Sequence, residues 1–325
     1  MRKITDSVYT TDEPGAGMPG VLVGRTSLII VDPGYDTSKQ HRATNSLDGS
    51  PLNQLKEFSE EIGKPVRYII LTHAHGDHTA DLRFYQRSWE GIQIYAHAKN
   101  RAVNPKSPFY LKIKIDRAFD KDTDLEIDGV LVRVMATPGH TENGEDISLW
   151  VPEGGLIFTG DLVQPHGFPY REGNWETFMP FYTRGDEYSA SLQKVIDLDP
   201  KLVHTCHDFV YRGTEPIKTN REIVERTRQL AEKLSAEHPE VPERTLVNWV
   251  FDTIGSERGV PRHRVLHRRG EPTEEAVEEL ARDWNLSPEQ AREKILEQKK
   301  YFEKHDIHGI NYFVRKARQL QGSGV

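Results

Sequence analysis

The stretch Leu71-Thr72-His73-Ala74-His75-Gly76-Asp77-His78 constrains this chain more than any other. It places three imidazoles and a carboxylate within six positions, directly after Arg67-Tyr68-Ile69-Ile70, which reads as a buried strand. Four polar side chains at a strand end can be held rigidly by the scaffold behind them. Burying them together is costly unless something compensates. Imidazole nitrogens and a carboxylate oxygen are the donors that a borderline cation such as zinc takes. His73 and His75 are two apart in an extended segment, so they point the same way. Asp77 and His78 follow as the chain turns and can face a second position. One loop therefore offers ligands for two cations.

Composition narrows the setting. The 325 residues suffice for one large domain or two ordinary ones. The formal net charge of −7 argues against non-specific nucleic-acid binding. Cys206 is the single cysteine, which excludes an intramolecular disulfide and fits a reducing compartment. No apolar run approaches the ~20 residues that span a bilayer, and Met1-Arg2-Lys3-Ile4-Thr5-Asp6 leads into no apolar signal core. A cytoplasmic protein with no membrane partner is expected.

The first ~210 residues alternate strand and helix signals. Val21–Val23, Ser27–Val31, Arg67–Ile70 and Ile92–Ala96 read as strands, and Leu52–Ile62 as a helix. Leu125–Ile127 and Val130–Met135 read as a hairpin about Asp128-Gly129, and Ile147–Val151 with Leu156–Phe158 as another. A helix is expected over Tyr188–Leu198 and a short strand at Leu202-Val203. The basic, aromatic segment Pro105–Asp122 looks like an insertion or lid. After about Pro216 strand signals vanish and amphipathic helical patterns take over, with Gly255 and Gly309 read as stops. The division expected is 1–215 and an all-helical 216–325.

Three further loops repeat one arrangement: strand, tight turn, ligand. Thr137-Pro138-Gly139-His140 follows one strand, Thr159-Gly160-Asp161 another, and His204-Thr205-Cys206-His207-Asp208 a third. A carboxylate at Asp161 could bridge two cations through its two oxygens.

In order and spacing these motifs resemble the metallo-β-lactamase superfamily over roughly residues 7–212, with Asp32 after the second strand as a further match. The resemblance implies an α+β fold, a four-layer αβ/βα sandwich with metals at one edge of two facing sheets. It implies that His73, His75 and His140 bind one metal, and that Asp77, His78 and His207 bind the other. Asp161 and a hydroxide would lie between them, with Asp32 supporting the loop. The fit departs in two places. The last motif in hydrolytic relatives is commonly Pro-Gly-His-Gly and here reads Thr205-Cys206-His207-Asp208, which leaves His204 as a competing ligand; the family position favours His207. The segment Thr141–Asp146 is longer and more acidic than usual, so Glu142, Glu145 or Asp146 could line the mouth, although solvated loop charge explains them more simply.

Two divalent cations about 3.5–4 Å apart lower the pKa of a shared water toward neutrality and polarise a carbonyl. Asp77 is the expected catalytic residue, orienting the hydroxide and carrying a proton to the leaving group. The expectation is a binuclear hydrolase of a small acyl substrate, a thioester before an ester or lactone. Zinc is the expected metal, with manganese and iron accepting the same donors. Thioester hydrolases of the glyoxalase II type, which this resembles, use a helical C-terminal domain as part of the substrate wall. Tyr182 or Tyr188 could meet a substrate carbonyl, and the run Arg258–Arg269 an anionic carrier, although packing and local ion pairs account for both. The rivals are a mononuclear-iron, persulfide dioxygenase-like oxidoreductase and an RNA-processing nuclease. Near-balanced charge after Pro216 speaks against nucleic acid. Trp249, Phe251, Tyr301, Phe302, Tyr312 and Phe313 supply apolar surface for a homodimer or for an internal core.

Overall fold

A computed structural model describes residues 1–11, 18–34, 51–102, 114–164, 178–207 and 210–322. The chain divides into two compact units, Met1–Pro165 with Ala190–Ile217, and His166–Ser189 with Lys218–Val325.

The first unit holds two sheets. Strands β1 (Arg2–Lys3), β2 (Val8–Thr10), β3 (Gly20–Val23), β4 (Leu28–Val31), β5 (Val66–Ile70), β6 (Gln93–His97) and β7 (Arg117–Phe119) follow one another in that spatial order. Pairing is antiparallel up to β4 and parallel from β4 to β7. The parallel part needs crossovers, which are α1 (Pro51–Ile62) between β4 and β5 and the short helices α2 (Gly76–Thr79) and α3 (Leu82–Ser88) between β5 and β6. The second sheet has the order β13-β12-β11-β10-β9-β8, from β8 (Thr123–Ile127), β9 (Val130–Ala136), β10 (Ile147–Val151), β11 (Leu156–Phe158), β12 (Leu202–His204) and β13 (Val210–Arg212).

β4 shows why the layers stack. Ile29 and Val31 point into a core shared with Leu125, Val134, Leu149 and Phe158 of the second sheet. Leu28 and Ile30 point the other way, against Leu55 and Phe58 of α1 and Leu82 and Tyr85 of α3. A strand apolar on both faces can only be a middle layer. Each such side chain, fully buried, contributes about 1.5–3 kcal/mol. Helix α4 (Gly185–Ile196) reaches the second sheet through Ser191, whose Oγ donates to the Pro138 carbonyl at 2.8 Å, and Lys194, whose Nζ donates to the Ala136 carbonyl at 2.9 Å.

The expected hairpins form, the first with Ile127 opposite Val130. The 105–122 segment reads differently: Arg117–Phe119 is not insertion but strand β7, paired with β6. Residues 105–113 of that expected lid lie outside the described residues.

Residues 215–322 are built from helices: α5 (Glu215–Glu237), α6 (Glu243–Glu257), α7 (Arg262–Arg268), α8 (Glu274–Trp284), α9 (Pro288–Tyr301) and α10 (His308–Gly322). Ser287 and Gln290 close a reciprocal capping box on α9. Phe251, Phe302 and Phe313 are buried. The two expected stops fail. α6 runs through Gly255 to Glu257, and Gly309 sits in the first turn of α10. A Cβ on Gly309 would stand 2.2 Å from the Tyr182 ring, so this glycine permits close packing rather than ending a helix.

Candidate metal centre

His73, His140, Asp161 and His207 each follow a strand, β5, β9, β11 and β12 respectively, by three or four residues. The two sheets present these ends at one edge. The Ile147 amide of β10 donates to the Thr72 carbonyl at 2.9 Å, fastening the second sheet to the motif loop. His75 still has extended backbone, φ −64° and ψ 150°, and α2 then turns Asp77 and His78 back toward the same place.

All seven expected ligands converge, in two groups that share one residue. Donor atoms of His73, His75, His140 and Asp161 lie within 4.8 Å of one another, as do those of Asp77, His78, Asp161 and His207. In the first group His140 Nε2 lies 3.0 Å from His75 Nδ1. Asp161 Oδ2 is 3.3 Å from His140 Nε2 and 3.8 Å from His73 Nε2. In the second group His78 Nε2 is 3.2 Å from His207 Nε2. Asp161 Oδ1 is 3.1 and 2.9 Å from those two nitrogens, and Asp77 Oδ2 is 3.9 and 3.7 Å from them. Asp161 thus turns one oxygen toward each group.

The donors fit cations. Nitrogens bonded at ~2.0–2.1 Å to one tetrahedral ion stand about 3.3 Å apart, close to the 3.0 and 3.2 Å separations here. His73 Nε2 and Asp161 Oδ1 are buried without an aligned hydrogen-bond partner. A polar atom left so costs about 1–3 kcal/mol, and a cation in each group would satisfy them, His73 Nε2 in the first and Asp161 Oδ1 in the second.

Electrostatics point the same way. Burial, with neighbouring imidazoles adding to it, keeps His73 well below the ordinary histidine range and pushes His75 down to about 4. Both therefore offer neutral lone pairs. Burial opposes charge on Asp161, but the imidazoles of His207, His78 and His140 outweigh it and hold the carboxyl well below its usual range. Burial likewise disfavours charge on His78 and His207, yet Asp161 pulls both upward, aided at His78 by Asp32 and Asp77. The second group demands positive charge, which a cation supplies in place of protons.

Support comes from residues behind the ligands, some of which, Asp32 and Asp146 among them, the sequence reading already names. Asp32, fully buried just after β4 with φ 53°, accepts the Thr72 amide at 2.7 Å and the Thr72 hydroxyl at 2.6 Å, and meets His78 Nδ1 at 2.8 Å. Asp146 is no solvated loop charge. It is 5% exposed and accepts from the Gly139 and Thr141 amides at 3.1–3.2 Å and from the Thr141 hydroxyl at 3.0 Å, which fixes the turn bearing His140. Burial raises it to about 6, and raises the buried Glu145 to about 7 with help from Asp146. Gln164 donates from Nε2 to the Asp161 carbonyl at 3.0 Å. Gly160 has φ 51°, and a Cβ there would stand 2.4 Å from Thr72 Oγ1, so only glycine lets β11 deliver Asp161 this close to the motif loop. The sole sequence signal for Thr72 and Gly160 is adjacency to His73 and Asp161.

Several candidates go elsewhere. His204 Nδ1 accepts the Cys206 amide at 3.0 Å and its Nε2 faces Thr10 Oγ1 at 3.1 Å, so both nitrogens are used in the interior. Burial lowers it to about 3. Tyr182 and Tyr188 are buried and stacked, ring centroids 5.0 Å apart. In the basic run Arg264 pairs with Glu279 and Asp283, Arg269 with Asp252 and Glu271, and His263 with Glu279. These are ion pairs within the helical unit.

The family model described as the metallo-beta-lactamase superfamily matches residues 13–207. A beta-lactamase-like protein 2 homolog of Caenorhabditis elegans is 25% identical over 207 residues, 62% of either chain. An atrochrysone carboxyl ACP thioesterase of Passalora fulva is 27% identical over 177 residues, 54% of this chain and 46% of that protein. The aligned part thus spans about half to three-fifths of these curated relatives. Among solved structures, a metallo-beta-lactamase from Pontibacter korlensis superposes with a TM-score of 0.52 at 16% identity, covering 69% of this chain and 97% of the other. With that fold, and with its histidines and aspartates gathered at the sheet edge, the chain belongs to the metallo-beta-lactamase superfamily.

Proposed function

We propose that this chain is a binuclear metal-dependent hydrolase of an acyl bond, a thioester first and an ester or lactone next. The observation that carries the reading is the pair of donor groups hinged on Asp161. His73, His75 and His140 would hold one divalent cation and Asp77, His78 and His207 the other, zinc being the ion these donors suit best. Such a pair supplies Lewis acidity for an acyl carbonyl and lowers the pKa of water toward neutrality.

The residues themselves do the rest. His73, His78 and His140, at most 2% exposed, form a dry wall that keeps bulk water from competing. Asp77, 37% exposed, is the open carboxylate. It can accept a proton from the attacking water and return it to the departing thiol or alcohol. A thiolate leaves readily, so a thioester asks least of that proton transfer. Relatives described as ACP thioesterases, from Passalora fulva and Pseudocercospora fijiensis, support the choice of substrate class.

The test is metal analysis of the purified chain, followed by a panel of acyl-thioesters, lactones, β-lactams and phosphodiesters after zinc, manganese or iron loading. Two zinc per chain and highest kcat/KM on a thioester are expected. One iron per chain with no hydrolysis would overturn the reading in favour of an oxidoreductase.

A further inference from the structure

We propose that Thr72 is a positioning residue: its hydroxyl carries the influence of Asp32 to His73, so that one buried carboxylate orients an imidazole in each half of the site. The argument is one of donors and acceptors. An ionised carboxylate only accepts. Asp32 Oδ2 accepts a hydrogen bond from the Thr72 hydroxyl at 2.6 Å and from His78 Nδ1 at 2.8 Å, while Oδ1 accepts from the Thr72 amide at 2.7 Å. With Nδ1 committed to Asp32, His78 turns its Nε2 toward the second group.

Thr72 Oγ1 has one proton, and it is engaged in the hydrogen bond donated to Asp32. Toward His73 Nδ1, 3.0 Å away, it can only accept. His73 must then carry its proton on Nδ1 and present a bare Nε2, the atom that is buried without a hydrogen bond. The opposite tautomer would press two lone pairs together in a pocket where Thr72 is 2% and His73 1% exposed. The hydroxyl is held in place by its 2.6 Å bond to the buried Asp32 carboxylate. Asp32 therefore reaches His78 directly and His73 through one oxygen.

Thr72→Val separates this role from simple support. It keeps the shape and the amide bond to Asp32 and removes only the hydroxyl. The experiment compares wild type, T72V and T72S as full chains labelled with 15N-histidine, the His73 signals being assigned by loss in H73Q. In metal-free wild type the His73 proton sits on Nδ1. T72V loses that preference and T72S restores it. A second arm, which rests on the binuclear reading, is competitive zinc titration. T72V weakens one of two zinc sites about 10–100-fold, the range typical of lost ligand-orienting contacts, and leaves the other within twofold. A wild-type spectrum with the proton on His73 Nε2 overturns the proposal whether or not any variant folds. So does an unchanged tautomer in T72V, or equal weakening of both sites. If wild type takes up no zinc, the hydrolase reading fails and the metal-free spectra alone decide the role of Thr72.

Discussion

The two halves of the site have similar donors but different surroundings. The first sets His73 and His140, at most 2% exposed, around one oxygen of Asp161, with Thr72 and Asp146 bracing them from behind and only His75 partly exposed. The second has buried His78 at its back but His207 at 19% and Asp77 at 37% exposure in front. Asp32, Asp77 and Asp161 all draw positive charge toward it. Rigidity and dryness favour holding an ion. An open face with excess negative charge favours exchanging one and admitting a substrate. Ligand count alone would have made the halves equivalent.

Asp161→Asn tests the comparison most severely, because it removes the charge both halves share. On the binuclear reading bound zinc should fall from two per chain to below one, and turnover by about 10³-fold, the upper end for losing a preorganised electrostatic group. Retention of both ions, read by elemental analysis, would show that the halves are independent. His207→Ala sharpens the contrast. It should empty the open half alone, leaving one zinc per chain and about 10²-fold less turnover. Graded chelation of wild type should give the same one-zinc species first. Loss of both ions together in either experiment would remove the asymmetry.

The smallest effect on the site should come from His204→Gln, with zinc content unchanged. Its signature is in stability. His204 is held at about 3 in the fold against an ordinary 6.5. The neutral ring therefore contributes fully above pH 6.5, and the contribution drains away as pH falls toward 3. The whole span is worth on the order of a few kcal/mol. Urea unfolding of metal-free protein should show wild type ahead of H204Q at pH 7 and the gap narrowed at pH 4.5. A gap that widens in acid would contradict the assignment of His204 to the interior.

These two histidines also show how far the sequence could be read. His73, His75, His140 and Asp161 were legible because each follows an apolar run, and strand ends are where a sheet edge can expose side chains. His204 and His207 flank one turn, and only the path of β12 tells them apart: His204 is the last strand residue and packs inward against Phe158. Asp146 read as surface charge because nothing local says that its carboxylate folds back onto the amides of 139 and 141. β7 was hidden because three residues carry no periodicity, and its identity comes from pairing with β6. Gly309 misled because local propensity treats glycine as a breaker, whereas its neighbour in space is Tyr182, far away in sequence.

Gly160 has a consequence for anyone who would redesign this pocket. A library randomising that position should return glycine almost alone, since even alanine collides with Thr72. The spacing between the two donor groups is thus gauged at one point, where the Gly160 turn of one sheet meets the Thr72 loop of the other with no room for a side chain. Retuning the pocket for a larger ion would mean shifting a whole layer rather than swapping a ligand.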